Sequence, residues 1–419
     1  MASPDHSAPG AGAPPHREGE SVTAPLPAGV RLAKLPPLAL YVHIPWCVKK
    51  CPYCDFNSHQ VRGEVPEREY VEALVTDLEI ALPQVWGRRV HSVFFGGGTP
   101  SLLSAKSIDS LLAAFRARLP IAADCEVTLE ANPGTFEAEK FRGYREAGVN
   151  RLSIGIQSFD PKHLRALGRI HDDREARRAI EIAQVAFDNI NLDLMYALPG
   201  QTPAEARADL EAALGAGVPH LSFYHLTLEP NTLFHRHPPA LPDEDAAAEI
   251  QDAIGAALAG GGYINYETSA WALAGRECRH NLNYWRFGDY LGIGAGAHGK
   301  LSFADRITRS TRWKQPKEYL QRVAEGRPVQ ENHEVARADL VFEFMMNALR
   351  LSQGFAVGAF VERTGLQIAA AEKPLREAEA RGLLIRDHEY IRPSELGQRF
   401  LNDLLQLFLP GRKEGLTGS

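Results

Sequence analysis

Apolar residues recur along the middle of the chain in two alternating patterns. Short unbroken apolar runs read as buried strands, and longer stretches with apolar residues three or four apart read as amphipathic helices. Leu38–Ile44 is the first run, and Arg68–Leu82 follows with Tyr70, Leu74, Leu78 and Leu82 on one helical face. Val90–Phe95 is a second strand, stopped by Gly96-Gly97-Gly98; Ser107–Leu119 is a second helix with Ile108, Leu111, Leu112 and Phe115 inward. The alternation continues through strands at Glu126–Leu129, Arg151–Ile156, Ile190–Tyr196 and Leu221–Leu228. The intervening helices are Glu137–Ala147, Glu175–Phe187, Pro203–Gly215 and Glu244–Ala259. Pro203 suits a first helical position, where its missing N–H has no partner to lose.

Strand–helix units in this order predict an α/β fold with a parallel sheet and right-handed crossovers. The pattern is compatible with an open doubly wound sheet and with a curved partial barrel. In both, ligands sit at the C-terminal strand ends. The polar and glycine-rich residues fall there: Cys47–Cys54 after the first strand, Gly96–Pro100 after the second, Glu130 after the third and Gln157 after the fourth.

The flanks differ. Residues 1–37 hold eight prolines, four glycines and seven alanines without apolar periodicity, which predicts a disordered arm. Residues 38–264 form the strand–helix unit, and 265–332 read as a less regular, aromatic-rich extension. Residues 333–410 are mostly helical with a hairpin near Leu383–Ile391, a winged-helix-like pattern, and 411–419 are a tail. Between 339 and 410, eight Lys and Arg stand against ten Asp and Glu, which argues against nucleic-acid binding by this part.

Composition narrows the class. The chain has 419 residues, 44% hydrophobic, enough for roughly two to three globular domains. Its net charge of −6 gives no general attraction to nucleic acid or to an anionic membrane. No apolar stretch is long enough to span a bilayer, and the first residues lack the basic and apolar regions of a secretory signal. The expected location is the cytoplasm. Three of the five cysteines lie within eight residues, which in a reducing compartment reads as a metal site.

Those three are Cys47, Cys51 and Cys54, spaced C-x3-C-x2-C in a loop kept from helix by Pro45 and Pro52. Three thiolates can hold an iron–sulfur cluster with one iron left open. A zinc site completed by His43 or His59 is the alternative. Cys125 reads as a small buried hydrophobe, the Met345-Met346 pair as core, and Gly292–His298 as a tightly packed glycine turn rather than a dinucleotide loop.

The triplet at the end of the first strand resembles the radical S-adenosylmethionine (SAM) superfamily, and the match continues in order over residues 38–230. The resemblance implies a partial (β/α)6 TIM-type barrel, a 4Fe–4S cluster and SAM chelating its open iron. It places Gly97, Gly98 and Thr99 of Gly-Gly-Gly-Thr-Pro at the SAM amino group and Glu130 at the ribose. Within the superfamily the chain is similar to the oxygen-independent coproporphyrinogen dehydrogenase branch. That similarity adds Tyr41, Tyr53, Gln157, Arg169 and Asp193 to the SAM contacts and leaves open whether one SAM or two bind. The dehydrogenase carries a further cysteine where this chain has Phe56, which instead resembles the HemW haem-chaperone subgroup.

His280-Asn281-Leu282-Asn283-Tyr284-Trp285 matches that subgroup's HNxxYW motif, which the resemblance associates with haem. Imidazole and thiolate both ligate haem iron, making His280 a candidate and Cys278 its rival. Tyr284 and Trp285 offer flat apolar surface, and Arg276, Arg279 and Arg286 offer cations for propionates. The implied function is haem binding and delivery to haem-dependent proteins, respiratory ones among them, with peripheral contact at the inner membrane face. The alternative is anaerobic oxidative decarboxylation of coproporphyrinogen III.

Overall fold

The computed structural model describes residues 30–134 and 138–411. Six parallel strands form its centre: β1 (Leu38–Ile44), β2 (Val90–Gly97), β3 (Ile121–Ala131), β4 (Arg151–Gln157), β5 (Ile190–Tyr196) and β6 (His220–His225). They alternate with α1 (Glu67–Val85), α2 (Ala105–Arg118), α3 (Ala138–Ala147), α4 (Asp173–Ala186), α5 (Pro203–Gly215) and α6 (Glu244–Gly260). A short helix, Pro161–Ala166, precedes α4 and has no counterpart in the apolar pattern. The strands bury long Leu, Ile and Val runs against the helices, as parallel sheets require. Helix starts are locally encoded: Asp172 and Thr202 each form a reciprocal capping box, with Glu175 and Glu205.

Several strand ends differ from the apolar pattern by one or two residues, and two differ by three or more. β3 begins at Ile121, ahead of the predicted Glu126: Ile121 pairs with Val90 of β2 and, past a register shift, Glu126 pairs with Ser92, its carboxylate accepting from Cys278 Sγ and the His280 N–H. β6 stops at His225, short of the predicted Leu228. There the Leu226 N–H turns back to Tyr196 O, and Leu226 packs with Leu198 and Phe234 in a small separate cluster.

Residues 265–332 are more regular than their composition suggests. They extend the sheet at both ends with β7 (Ile264–Glu267), β8 (Ala270–Ala272), β9 (Asp289–Ile293), β10 (His298–Ser302), β11 (Ile307–Arg312) and β12 (Val329–Glu334). The twelve-stranded order is β12-β11-β10-β9-β1-β2-β3-β4-β5-β6-β8-β7, with β9 parallel to β1. The Gly292–His298 turn starts at the end of β9. Its glycines answer a packing need: a Cβ on Gly294 would collide with the His43 carbonyl oxygen, and one on Gly296 with Asn57 Nδ2.

The segment Arg279–Trp285 is a seven-residue helix, α7, packed on β1, β2 and β9. The C-terminal part has its own core, with Phe344 edge-on to Phe355 and Phe360, and its β-hairpin pairs Leu384–Arg386 with Tyr390–Pro393. Val30 and Leu32, assigned by composition to a disordered arm, are buried in that core; the rest of the predicted arm before residue 30 lies outside the described residues. Met345 is fully buried and Met346 partly exposed, and Cys125 is buried as expected.

Candidate functional site

The cysteine loop is built by its own polar residues. Trp46–Cys47 pairs in parallel with His59–Gln60, and Lys50 Nζ donates to the carbonyls of Phe56 and Ser58, both at 3.1 Å. His43 Nε2 donates to Asn57 O at 2.9 Å, so its Nδ1 accepts from Tyr41 OH at 3.0 Å. Burial pushes the His43 imidazole down to about 4, which keeps it neutral for both bonds. Asn57 Nδ2 bridges to the carbonyls of Ala295 and Lys314, fastening the loop to the turn after β9 and to the chain just after β11.

Cys47, Cys51 and Cys54 line one wall of a cavity of about 360 Å³ at the C-terminal ends of the barrel strands. Gly97, Gly98 and Thr99 line a second. Here β2 passes directly over the loop: a Cβ on Gly97 would lie 2.5 Å from the His43 ring, and one on Gly98 2.5 Å from Trp46 O. Glycine is thus fixed by close backbone approach, and Gly97 adds a φ of +113°.

Glu130, Gln157, Arg169, Asp193 and Tyr53 complete the predicted set around the cavity. Glu130 accepts from Gly97 N–H at 3.1 Å; burial, then the nearby Asp193 carboxylate, push its carboxyl up to about 8. Arg169 is anchored at 2.6 Å on both Asn132 Oδ1 and Gly155 O, and its Nη1 lies 3.8 Å from Cys51 Sγ. Gln157 holds a φ of +68° at the end of β4, a conformation that costs roughly 1–3 kcal/mol and is concentrated at functional sites. Tyr41 stands apart from this set. It lies below the cavity and acts on it through His43, which packs under Gly97.

Asn132, Ser153, Tyr224 and His225 also line the cavity and were not anticipated. The available signal was polar residues inside otherwise apolar strands, Ser153 in β4 and Tyr224-His225 at the end of β6.

The HNxxYW segment is placed differently from a solvent-facing ligand patch. His280 is 1% exposed, with Nδ1 2.9 Å from Ser92 Oγ and Nε2 3.0 Å from Tyr284 OH. Burial, then Arg151, push its imidazole down to about 3. Neither ring nitrogen is free for iron, because α7 folds into the barrel and Phe94 stacks on the imidazole at 4.9 Å. Cys278, the rival ligand, is fully buried against Glu126. Arg279 pairs with Asp124 at 3.0 Å, and Trp285 is covered by the Arg350 guanidinium at 4.3 Å. His280, Tyr284, Trp285 and Arg279 are therefore neighbours along α7 but do not converge on one opening.

A partial barrel with three cysteines on its C-terminal rim defines the class, a radical SAM protein. Residues 41–213 match the Radical SAM superfamily, and residues 335–400 match the HemN C-terminal domain. The heme chaperone HemW of Escherichia coli K12 is 51% identical over 380 residues, covering 90% of this chain and 100% of that one. The heme chaperone HemW of Haemophilus influenzae is 48% identical, covering 90% and 99%. Among solved structures, the coproporphyrinogen III oxidase HemN of E. coli shares the fold with a TM-score of 0.76 at 24% identity, over 89% of this chain and 90% of that one. The chain belongs to the HemW family of the radical SAM superfamily.

Membership brings a 4Fe–4S cluster and SAM as cofactors, and the residues present fit them. His43 has both ring nitrogens engaged and His59 bonds Asn57, so neither completes a Cys3His zinc set. Zinc–sulfur bonds of about 2.3 Å would draw the thiols together. Among the described residues, the one group of three metal-type ligands within such reach is Asp160, His163 and Glu205, so the three thiols are spread wider than a single ion spans. Burial raises the Cys47 and Cys54 thiols, and their neighbouring cysteines add to this, so a bound cationic centre would be needed to hold these two as thiolates. When bound, the cluster supplies an electron to SAM. Cys47, Cys51 and Cys54 would hold the cluster and would leave one iron without a cysteine, since Cys125 and Cys278, the other two, do not line the cavity.

Glu130→Ala is expected to weaken SAM binding by about tenfold, the scale of a charged hydrogen bond, with iron and sulfide content unchanged. If ribose hydroxyls donate to Glu130 they favour its ionised form, and SAM binding near pH 7 should then release part of a proton. Calorimetry in buffers of different ionisation enthalpy reads that release, and Glu130→Ala should abolish it.

Proposed function

We propose that this chain is a haem chaperone: it binds haem and passes it to haem-dependent proteins, carrying a 4Fe–4S cluster and SAM. The observation that carries this reading is 51% identity across the whole length of a heme chaperone HemW. Phe56 supports it. This exposed side chain lines the cavity mouth at the position where the dehydrogenase branch has its further cysteine. Recipients would include respiratory haem proteins. Among the described residues no helix is long and apolar enough to cross a membrane, so contact with the inner membrane face would be peripheral.

Titration of the anaerobically purified protein with haem should give a saturable Soret band. Coproporphyrinogen III incubated with reconstituted protein, SAM and reductant should remain undecarboxylated. Formation of protoporphyrinogen IX would overturn the reading in favour of the decarboxylase. The buried placement of His280 adds a sharper expectation. His280→Ala removes two buried hydrogen bonds and should lower the melting temperature while the Soret band persists; loss of the band in folded protein would show that α7 opens to present the imidazole.

A further inference from the structure

We propose that Asn191 and His220 are positioning residues for the cofactor cavity, fixing the Asp193 carboxylate through a hydrogen-bonded chain that runs on to the N-cap of α7. This rests on the reading of the cavity as the SAM site, which Asp193 lines while Asn191 and His220 do not.

Barrel interiors are usually filled with layers of branched apolar side chains. This lumen is polar, and its donors and acceptors can be assigned link by link. Asp193, when ionised, only accepts. Asn191, 2% exposed, lies with Nδ2 2.9 Å from Asp193 Oδ1 and 2.7 Å from Ser153 Oγ, so the amide nitrogen faces the carboxylate. The Ser153 hydroxyl, accepting from Asn191, gives its own proton to Asp193 Oδ2 at 2.7 Å. Asn191 Oδ1 is left as an acceptor and is met by Ser222 Oγ at 3.0 Å and His220 Nδ1 at 2.6 Å. His220 therefore carries its proton on Nδ1. Burial, then Arg151, hold the imidazole well below its ordinary value, so it is neutral and Nε2 has a lone pair. Tyr266 OH donates to that nitrogen at 2.8 Å and accepts the Cys278 N–H at 3.3 Å. Reversing Asn191 would set a carbonyl against a buried carboxylate and leave His220 Nδ1–H facing an amine.

The chain thus has one polarity from the α7 N-cap to the cavity. Asp193 is also faced by Arg151 and Ser153 from β4, Glu130 from β3 and Tyr224 from β6. Arg151 favours its ionised form, whereas burial opposes it. Asn191 and Ser153 supply fixed donors, which hold the carboxylate in one rotamer and leave its remaining lone pairs for the ligand.

The test is equilibrium binding of S-adenosylhomocysteine, which lacks the cleavable methyl sulfonium, to the cluster-loaded full chain. Each variant is compared with wild type at the same pH. Asn191→Asp puts an acceptor where a donor is needed, so affinity should fall at least about tenfold at pH 7.5. It should recover toward wild type near pH 6, where the introduced carboxyl, once protonated, can donate again. His220→Ala should weaken binding several-fold, and His220→Gln, whose amide N–H replaces the Nδ1 donor, should stay within about twofold of wild type. Should Asn191→Asp fail to fold, the His220 pair decides the matter. Equal losses in His220→Ala and His220→Gln, or a pH-independent loss in Asn191→Asp, would overturn the positioning role. Tight wild-type binding with unaffected variants overturns it alone; absence of binding by the wild-type protein overturns the SAM reading and the positioning role together.

Discussion

Replacing any one of Cys47, Cys51 and Cys54 by alanine is expected to cut cluster content at least about tenfold after anaerobic reconstitution. The three thiols are this cavity's whole set of cysteines, so each loss leaves two ligands for four irons. No neighbour substitutes: Ser58 Oγ lies 3.6 Å from Cys54 Sγ as a hydrogen-bond partner, and the nearby histidines are committed to Tyr41 and Asn57. The fold should survive. The loop is held by backbone pairing with His59–Gln60 and by Lys50, Asn57 and His43 rather than by the thiols. Cys125→Ala and Cys278→Ala are the controls, each expected to keep full iron and sulfide. Iron and sulfide analysis with electron paramagnetic resonance after dithionite reduction measures the outcome. A cluster that persists in Cys51→Ala would mean a ligand outside this wall.

The loop's resemblance to the radical SAM triplet was legible in the sequence because its spacing is local, whereas the lower end of the barrel was not. Apolar runs located β1 and β5 to the residue, since Leu38, Leu40, Val42 and Ile44 in the one and Ile190, Leu192 and Leu194 in the other mark the buried positions. The same rule lost β10–β12, where Ile307-Thr-Arg-Ser-Thr-Arg312 is a strand with mostly polar residues. It also lost the lumen. His280 with Glu126 and Asn191 with His220 are polar residues that satisfy one another across the barrel, the first pair across more than 150 residues of sequence in the bond from the His280 N–H to Glu126 Oε1. A motif containing His, Tyr and Trp has the composition of a haem patch. The same composition also suits a helix that caps a polar barrel, and only the pairing of His280 with Ser92 and Tyr284 distinguishes the two.

Asp289→Ala should destabilise the protein by about 3–5 kcal/mol, the scale for breaking a buried ion pair from one side. Asp289 is fully buried and accepts from Lys300 Nζ at 3.0 Å, Arg88 Nη2 at 2.8 Å, Ser302 N at 2.9 Å and Ser302 Oγ at 2.7 Å. Burial alone would raise its pKa; Lys300 and Arg88 outweigh that and hold it below the usual carboxylate range. Lys300 is buried too, and that burial pushes its ammonium down to about 8, so without Asp289 it would lose its charge in the fold. Its other contacts, with the carbonyls of Phe287 and Gly288, fix the chain where it leaves α7. The damage should therefore reach the α7 segment, seen as faster hydrogen exchange at Tyr284–Gly288. The pH dependence follows from the depressed carboxyl. Asp289 contributes stability above its unfolded pKa of about 4, and that contribution is lost as pH falls through the lower folded value. Wild type should lose its advantage over Asp289→Ala in acid and keep it at neutral pH. Replacing Asp289 and Lys300 together, Asp289→Leu with Lys300→Met, should recover part of the loss, because the fully buried ammonium goes with its partner while Arg88 keeps its bond to the Pro36 carbonyl. Urea unfolding at pH 7 and pH 3 measures both, and an Asp289→Ala loss below about 1 kcal/mol at neutral pH would refute the role assigned to this pair.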